Sequence, residues 1–507
     1  MKRLKFVMAA TVAAALAFSL NACAPDTSSA PSKTLQLTTA VDNDTFDPAK
    51  LSGGAKDNYW QAVYDTVLKL NYDKIQPEPN LATDFSYDAT FTKLTVKLRK
   101  DVKFSDGTPL TAEALKVNAI ALRDGAGSSS FMMAALKDVQ VVDDYTAVYQ
   151  LKQRDPAFLG YLTTIGGAIG NPKFVGKKEI ATTPAGSGPY VLDPAGTAQG
   201  TKYAFKRNPS YWNTQAFPYD DVTITPIVEA SARVNAIKSG QVNAGVFDPD
   251  ARQELESSGL KVASQATDWR GLVLADREGK KTPALGDVRV RQAINYALDS
   301  KSFLNNVEMG QGTATNQIFI PGDLGYVKDL EARYPYDPNK AKELLKAAGY
   351  ANGFDLVIPA FDFRSAVQPV MIQQLAAVGI RVKVEQVVPD QYNAIMKSGK
   401  YSAYWLQLTS GDAWRNIQKT LPPKATWNGF KTEDPKLTQL IDAAQKVYGD
   451  DSAFKTAMTE VGRYVVENAY FAPWYRINSL FVTNGQVAFT FSPWATTPEL
   501  RTFKPAS

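Results

Sequence analysis

The chain contains no histidine among its 507 residues. That absence removes the Ser-His-Asp triad, cysteine–histidine pairs and His-x-x-x-His zinc sites together. It also removes the side chain that most often acts as a general base near neutral pH. Cysteine occurs once, at position 23, so no internal disulfide can form. Beyond one N-terminal stretch there is no long apolar run. Charge excess is small as well: the net charge of +5 falls to +2 once Lys2, Arg3 and Lys5 are set aside. A near-neutral chain has no basic footprint for nucleic acid. Catalytic motifs are missing too. Ser258-Gly259-Leu260-Lys261 fits a Ser-x-x-Lys pattern, but no Lys-Thr-Gly partner exists and Ser257-Ser258-Gly259 reads as a helix end. Gly186-Ser187-Gly188 falls one residue short of a nucleophile elbow, and neither a phosphate-cradling loop nor a calcium loop occurs. The enzyme class left is a secreted carboxylate-based hydrolase, and no acid pair stands out for it.

What is present begins at the N-terminus. Lys2, Arg3 and Lys5 precede an apolar run from Phe6 to Leu20, interrupted by Thr11 and Ser19. The run is short for a mature membrane span and has the layout of a secretory signal, residues 1–22. Leu20-Asn21-Ala22-Cys23 resembles the lipobox of bacterial lipoproteins. The resemblance implies lipid on Cys23 and a tether, residues 23–34, of about ten flexible residues. The expected location is the outer face of a bacterial membrane.

Roughly 480 residues remain, enough for two or three domains. Leu35-Gln36-Leu37-Thr38-Thr39-Ala40-Val41 alternates as a first strand, followed by a turn-forming loop at Asp42–Pro48. Trp60, Tyr64, Val67 and Leu68 fall at helical spacing, as a core-facing stripe. Leu94, Val96 and Leu98 alternate as a half-buried strand. Thr111 is placed to cap a helix with Leu115, Ala119 and Leu122 inward, ended by Gly125, and Ala147–Leu151 forms a second strand. Strands alternating with helices in this way predict an α/β protein.

Leu98-Arg99-Lys100-Asp101-Val102-Lys103-Phe104-Ser105-Asp106-Gly107-Thr108-Pro109-Leu110-Thr111-Ala112-Glu113 resembles the signature block of extracellular solute-binding proteins, family 5. These are the oligopeptide-, dipeptide- and nickel-type receptors of ABC transporters. Ala185–Tyr190 is similar to the family's Gly-x-Gly-Pro-Tyr turn, and Arg207–Trp212 to its Arg-Asn-Pro-x-Tyr-Trp. Asp287–Asp299 and Tyr336–Tyr350 match two further blocks in order. Read for themselves, these blocks carry fold. Asp337, Pro338 and Gly349 punctuate a helix whose inner stripe is Ala341, Leu344, Leu345 and Ala348. Val290, Ile294, Ala297 and Leu298 make another apolar face, with Arg289 and Arg291 expected in solvent. Asp434-Pro435 opens a helix with Leu437, Leu440, Ile441 and Ala444 inward.

The resemblance implies a class II periplasmic-binding-protein fold of two lobes, the first with an extra subdomain. Residues 35–54, 185–277 and 478–507 would form lobe I, 55–184 its extra subdomain, and 278–477 lobe II. It implies a monomeric receptor without cofactor, which hands a small-molecule or oligopeptide ligand to an ABC permease and ATPase. Oligosaccharides and metal chelates are the alternative ligands; without histidine a metal would arrive chelated.

Family members carry pocket residues around a Trp-x-x-Asp followed by Asp-Pro. Here the segment from Tyr404 to Asn416 departs from that pattern. If Asp412 matches the Asp of Asp-Pro, Thr409 stands where peptide binders place the acid that pairs with a ligand amino terminus. Alternatively, Asp412 takes that role after a register shift. The candidate ligand contacts are Trp405, Thr409, Asp412, Trp414 and Arg415, followed by Thr45, Phe46, Trp269 and Arg270. The competing reading makes Trp405 core and Asp412 a helix cap. Asn243, where the family often shows an acid, is read as structural.

Overall fold

The computed structural model describes residues 33–125, 127–360, 367–388, 391–409, 411–492 and 495–506. The side chains of Thr267 and Thr409 fall outside that set. Cys23, the apolar run before it and all but the last two residues of the tether also lie outside it.

The first strand, Thr34–Thr39, lies inside a mixed sheet, between the parallel strands Asp221–Pro226 and Ala244–Phe247. Leu35 and Leu37 face the core, as their alternation requires. Among the described residues this sheet has nine strands. Two of them are long: Lys261–Leu274 and Phe471–Thr483 run antiparallel along most of their length. Near Thr483, Phe471–Thr483 pairs with Ala244–Phe247. Further along, Lys261–Leu274 pairs instead with Ala403–Thr409, and Phe471–Thr483 takes on Gly312–Ala314. The two long strands therefore belong to both groups of elements. Their register shifts at Ala266/Asp268 and again at Arg270/Gly271. Gly271 is needed there, because a Cβ would stand 2.3 Å from the Ala472 carbonyl oxygen.

Residues 82–151 build a separate antiparallel sheet, ordered Ala82–Tyr87, Lys93–Leu98, Thr146–Leu151, Leu136–Asp143. Leu94, Val96 and Leu98 are buried, and the helix Ala112–Asp124 buries Leu115, Ala119 and Leu122. Thr111 holds the capping position, although its hydroxyl makes no capping bond. Asp337 and Asp434 do cap: they accept from the amides of Lys340 (2.9 Å) and Leu437 (3.0 Å).

Two expectations are corrected. The stripe Trp60, Tyr64, Val67 and Leu68 is buried, but the helix is only Asp57–Val63. Gly188 N–H donates to the Val63 carbonyl, and Tyr64 is extended. A Cβ on Gly186 would lie 1.9 Å from the same carbonyl oxygen, so the Gly-x-Gly-Pro-Tyr turn packs backbone to backbone against the helix end. Arg291 is buried rather than solvated, since its guanidinium donates to the carbonyls of Leu285 and Asn468. Arg289 is exposed.

The sequence blocks converge on Asp65, just past that helix. Its carboxylate accepts from Ser187 (3.2 Å), Tyr211 (2.9 Å) and Trp212 (3.1 Å), while Arg99 lies 3.5 Å above the Trp212 ring. Burial nevertheless raises Asp65 to about 6, against the lowering effect of those donors. This knot fixes the short helix that carries Asp57 and Trp60.

Candidate functional site

A cavity of about 330 Å³ opens beside the helix Asp57–Val63. Asp57 and Trp60 line it from that helix, and Phe131 and Tyr161 from the short helices Ser130–Met133 and Phe158–Tyr161. On the other side stand Leu408, Asp412, Arg415, Lys419 and Trp427, with Lys397 nearby. Thr496 and Glu499 close one end. Pockets of this size with aromatic walls and a few fixed charges are the usual form of a small-ligand site.

The far wall follows from its sequence. Asp412 accepts from the Arg415 amide at 3.1 Å and so starts the helix Ala413–Thr420. Trp414 and Ile417 bury the inner face. Arg415 and Lys419, four residues apart, share another face and line the cavity. Both cations sit over Phe131 from the opposite wall, at 5.8 Å and 5.3 Å from its centroid.

Several contacts join the walls. Tyr161 O–H donates to Gln418, and the Gln418 amide donates to Asp155 at 3.2 Å. The Arg154 guanidinium donates to the Lys446 and Tyr448 carbonyls, and Gln445 donates to the Arg154 carbonyl.

Electrostatics inside the cavity are tense. Burial raises Asp57 to about 6, partly opposed by the Trp60 N–H and by the charge of Arg415. Burial raises Asp412 too. Lys419 is held well below its usual range, first by burial and then by the neighbouring Arg415. Glu499 is engaged with Arg501. Among the described residues no group of three or more His, Cys, Asp or Glu side chains is placed to hold a metal.

Of the residues singled out from sequence, Asp412 and Arg415 line this cavity. Asp412 is at the same time the helix cap of the competing reading. The other candidates are placed elsewhere. Trp405 is 7% exposed and packs in the core, with its carbonyl accepting from the Tyr392 hydroxyl. Trp414 is buried against Phe454, and Trp269 against Phe471. Phe46 sits edge-on to Tyr203 and Phe205, and the Thr45 hydroxyl accepts from the Asp47 amide. Arg270 is committed to Glu308 and Gln407. Thr409 ends its strand opposite Asp268. Asn243 is structural: its carbonyl oxygen accepts from the Gln36 amide at 2.8 Å.

Sequence reasoning missed Asp57, Phe131, Tyr161, Lys397, Lys419 and Trp427. Lys419 was within reach, because it lies one helical turn beyond Arg415 while the opposite face is apolar. Nothing local marks Phe131.

Three relatives bear on this arrangement. The glutathione-binding protein GsiB of Escherichia coli (strain K12) is 27% identical over 444 residues, spanning 81% of this chain and 85% of its own. The periplasmic binding protein DppA from Helicobacter pylori, solved with the peptide STSA, superposes with a TM-score of 0.79 at 22% identity. It covers 94% of this chain and 98% of that one. NikA from Brucella suis, solved with Fe(III)-EDTA, gives a TM-score of 0.79 at 21% identity over 93% and 99% of the two chains. These structural likenesses establish the α/β periplasmic-binding-protein fold. No helix among the described residues is long and apolar enough to cross a membrane. The model of bacterial extracellular solute-binding proteins, family 5 Middle, matches residues 76–420, so the chain belongs to that family.

Proposed function

We propose that this chain is the extracytoplasmic receptor of an ABC importer and that it captures a peptide or peptide-like solute in the cavity between Asp57 and Arg415. One observation carries the reading: the cavity combines aromatic walls, Phe131, Tyr161 and Trp427, with fixed charges of both signs. That suits an amphipathic solute bearing a carboxylate and an amine, and does not call for chemistry. GsiB, named for glutathione, and DppA, solved with a peptide, support the same solute class. The solute would lie between lobe I (35–54, 185–277 and 478–507, with the insert 55–184) and lobe II (278–477). The change of pairing partner along the two long strands supports a hinge between them.

Thermal unfolding tests the reading, since a ligand that binds only the native state raises the midpoint. Glutathione or pools of free-acid tri- and tetrapeptides are expected to raise it by several degrees. A shift with oligosaccharides or EDTA chelates alone would replace the peptide reading with one of those classes.

We also propose that lipid on Cys23 holds the receptor at the membrane, on the strength of the lipobox-like Leu20-Asn21-Ala22-Cys23. A Cys23→Ala form is expected in the soluble fraction; unchanged membrane retention would contradict the anchor.

A further inference from the structure

The two proposed lobes also meet outside the cavity wall. Arg154, from the insert 55–184, reaches the end of the helix Pro435–Val447. The last carbonyls of a helix have no partner within it. Here the Val447 carbonyl accepts from the Asp450 amide. Arg154 Nη1 donates to the carbonyls on either side, those of Lys446 and, at 3.0 Å, Tyr448. A cation at that point also faces the negative end of the helix dipole. In return, the Gln445 side chain donates to the Arg154 carbonyl. Arg154 is braced from its own side: its Nε–H donates to the Thr90 carbonyl at 3.0 Å, and its guanidinium stands 5.3 Å from the Phe91 ring centroid. Phe91 itself crosses to the other lobe and meets Tyr448 edge-on, with ring centroids 5.5 Å apart. Gly449, at φ +108°, makes room for that ring, since a Cβ would stand 2.3 Å from Phe91 Cζ. Phe91, Arg154, Gln445, Tyr448 and Gly449 all lie off the wall of the cavity.

We propose that Arg154 and Phe91 form a latch that holds the lobes together without help from the solute, and that slows solute departure without touching it. This rests on the two-lobe receptor reading. A solute held between lobes leaves only after they part, so every contact confined to the closed form lengthens its stay. Contacts in the cavity depend on which solute is bound; those of Arg154 do not. The latch therefore raises affinity for every solute alike and leaves the choice among them to the cavity. Because the Thr90 carbonyl and the Phe91 ring already fix the Arg154 side chain, little of its freedom is lost when the lobes close. Water takes over the freed carbonyls on opening, which keeps the gain modest and the latch reversible.

The test uses Arg154→Met, which keeps the stem over Phe91 and loses the donors, and Gln445→Ala, which cuts the return contact from the other lobe. Small-angle scattering of the chain without added solute comes first. Both variants are expected to show a larger radius of gyration than the parent, with Arg154→Lys in between. Stopped-flow binding of glutathione comes second. Dissociation should be about tenfold faster for Arg154→Met and about threefold faster for Gln445→Ala, with association nearly unchanged. A folded variant with the parent's radius of gyration would overturn the latch, whatever glutathione does. Expansion with an unchanged dissociation rate would overturn its part in retaining the solute. Should Arg154→Met fail to fold, Gln445→Ala alone decides by the same two readings. Should glutathione not bind, scattering alone decides: expansion supports the latch, while the glutathione-like solute loses its support.

Discussion

Replacing Glu308 with alanine is expected to lower the unfolding free energy by about 3–5 kcal/mol, the usual effect of breaking a buried ion pair. Glu308 is fully buried, and its Oε1 accepts from Arg270 Nη1 at 2.5 Å and from the Tyr475 hydroxyl at 2.8 Å. Arg270 is 5% exposed and also donates to Gln407 at 3.0 Å. Gln407 in turn donates to Asp268. The network sits where the long strands shift register, beside Gly271. Alanine at 308 would leave the largely buried Arg270 guanidinium without its carboxylate, and the penalty is mainly that stranded charge. Replacing both partners together, Arg270→Met with Glu308→Met, should therefore restore much of the loss. Urea unfolding of the three proteins decides the matter. A Glu308→Ala protein within about 1 kcal/mol of the parent would mean that the pair contributes little to the fold.

The second large effect is on pH dependence, through Asp155. This residue is 1% exposed, accepts from the Ala157 amide and from Gln418, and is raised by burial from 3.8 to about 6. A carboxyl whose folded value exceeds its unfolded value binds more protons in the native state. Stability must then fall as pH rises from about 4 to about 6, and stay lower above that. The shift corresponds to about 3 kcal/mol for this one group. Asp155→Asn keeps the acceptor for Ala157 and Gln418 but removes the titration. The variant is expected to be the more stable protein at pH 7.5 and to lose that advantage near pH 4. Parallel pH profiles for the two proteins would contradict the assignment. Asp57 and Asp65, also raised to about 6, add slopes of the same sign that the variant leaves untouched.

The elements legible in the sequence were those whose signals are local. Asp337-Pro338, Asp434-Pro435 and the alternation Leu94-Val96-Leu98 each specify a cap or a face without help from distant residues, and the structure shows them in place. The helix after residue 57 was overextended because its stop is tertiary: the Gly186–Gly188 turn closes on Val63 from far along the chain. Arg291 was placed in solvent because its acceptors, the Leu285 and Asn468 carbonyls, could not be seen from helix periodicity. The candidate site was half legible for the same reason. Asp412 and Arg415 stand in a segment the family marks. Their counterparts Asp57, Phe131 and Tyr161 come from other parts of the chain and meet them only in the fold. Trp269, Trp405 and Trp414, singled out for their density, are buried among core residues, which their spacing alone does not reveal.

The solute is proposed to sit in the cavity between Asp57 and the Arg415–Lys419 face. The most direct test of that placement is a crystal structure of the protein grown with Ala-Glu-Ala or glutathione. Ligand density is expected between Phe131 and the helix Ala413–Thr420. Ligand density elsewhere, with only water between Phe131 and Arg415, would contradict it.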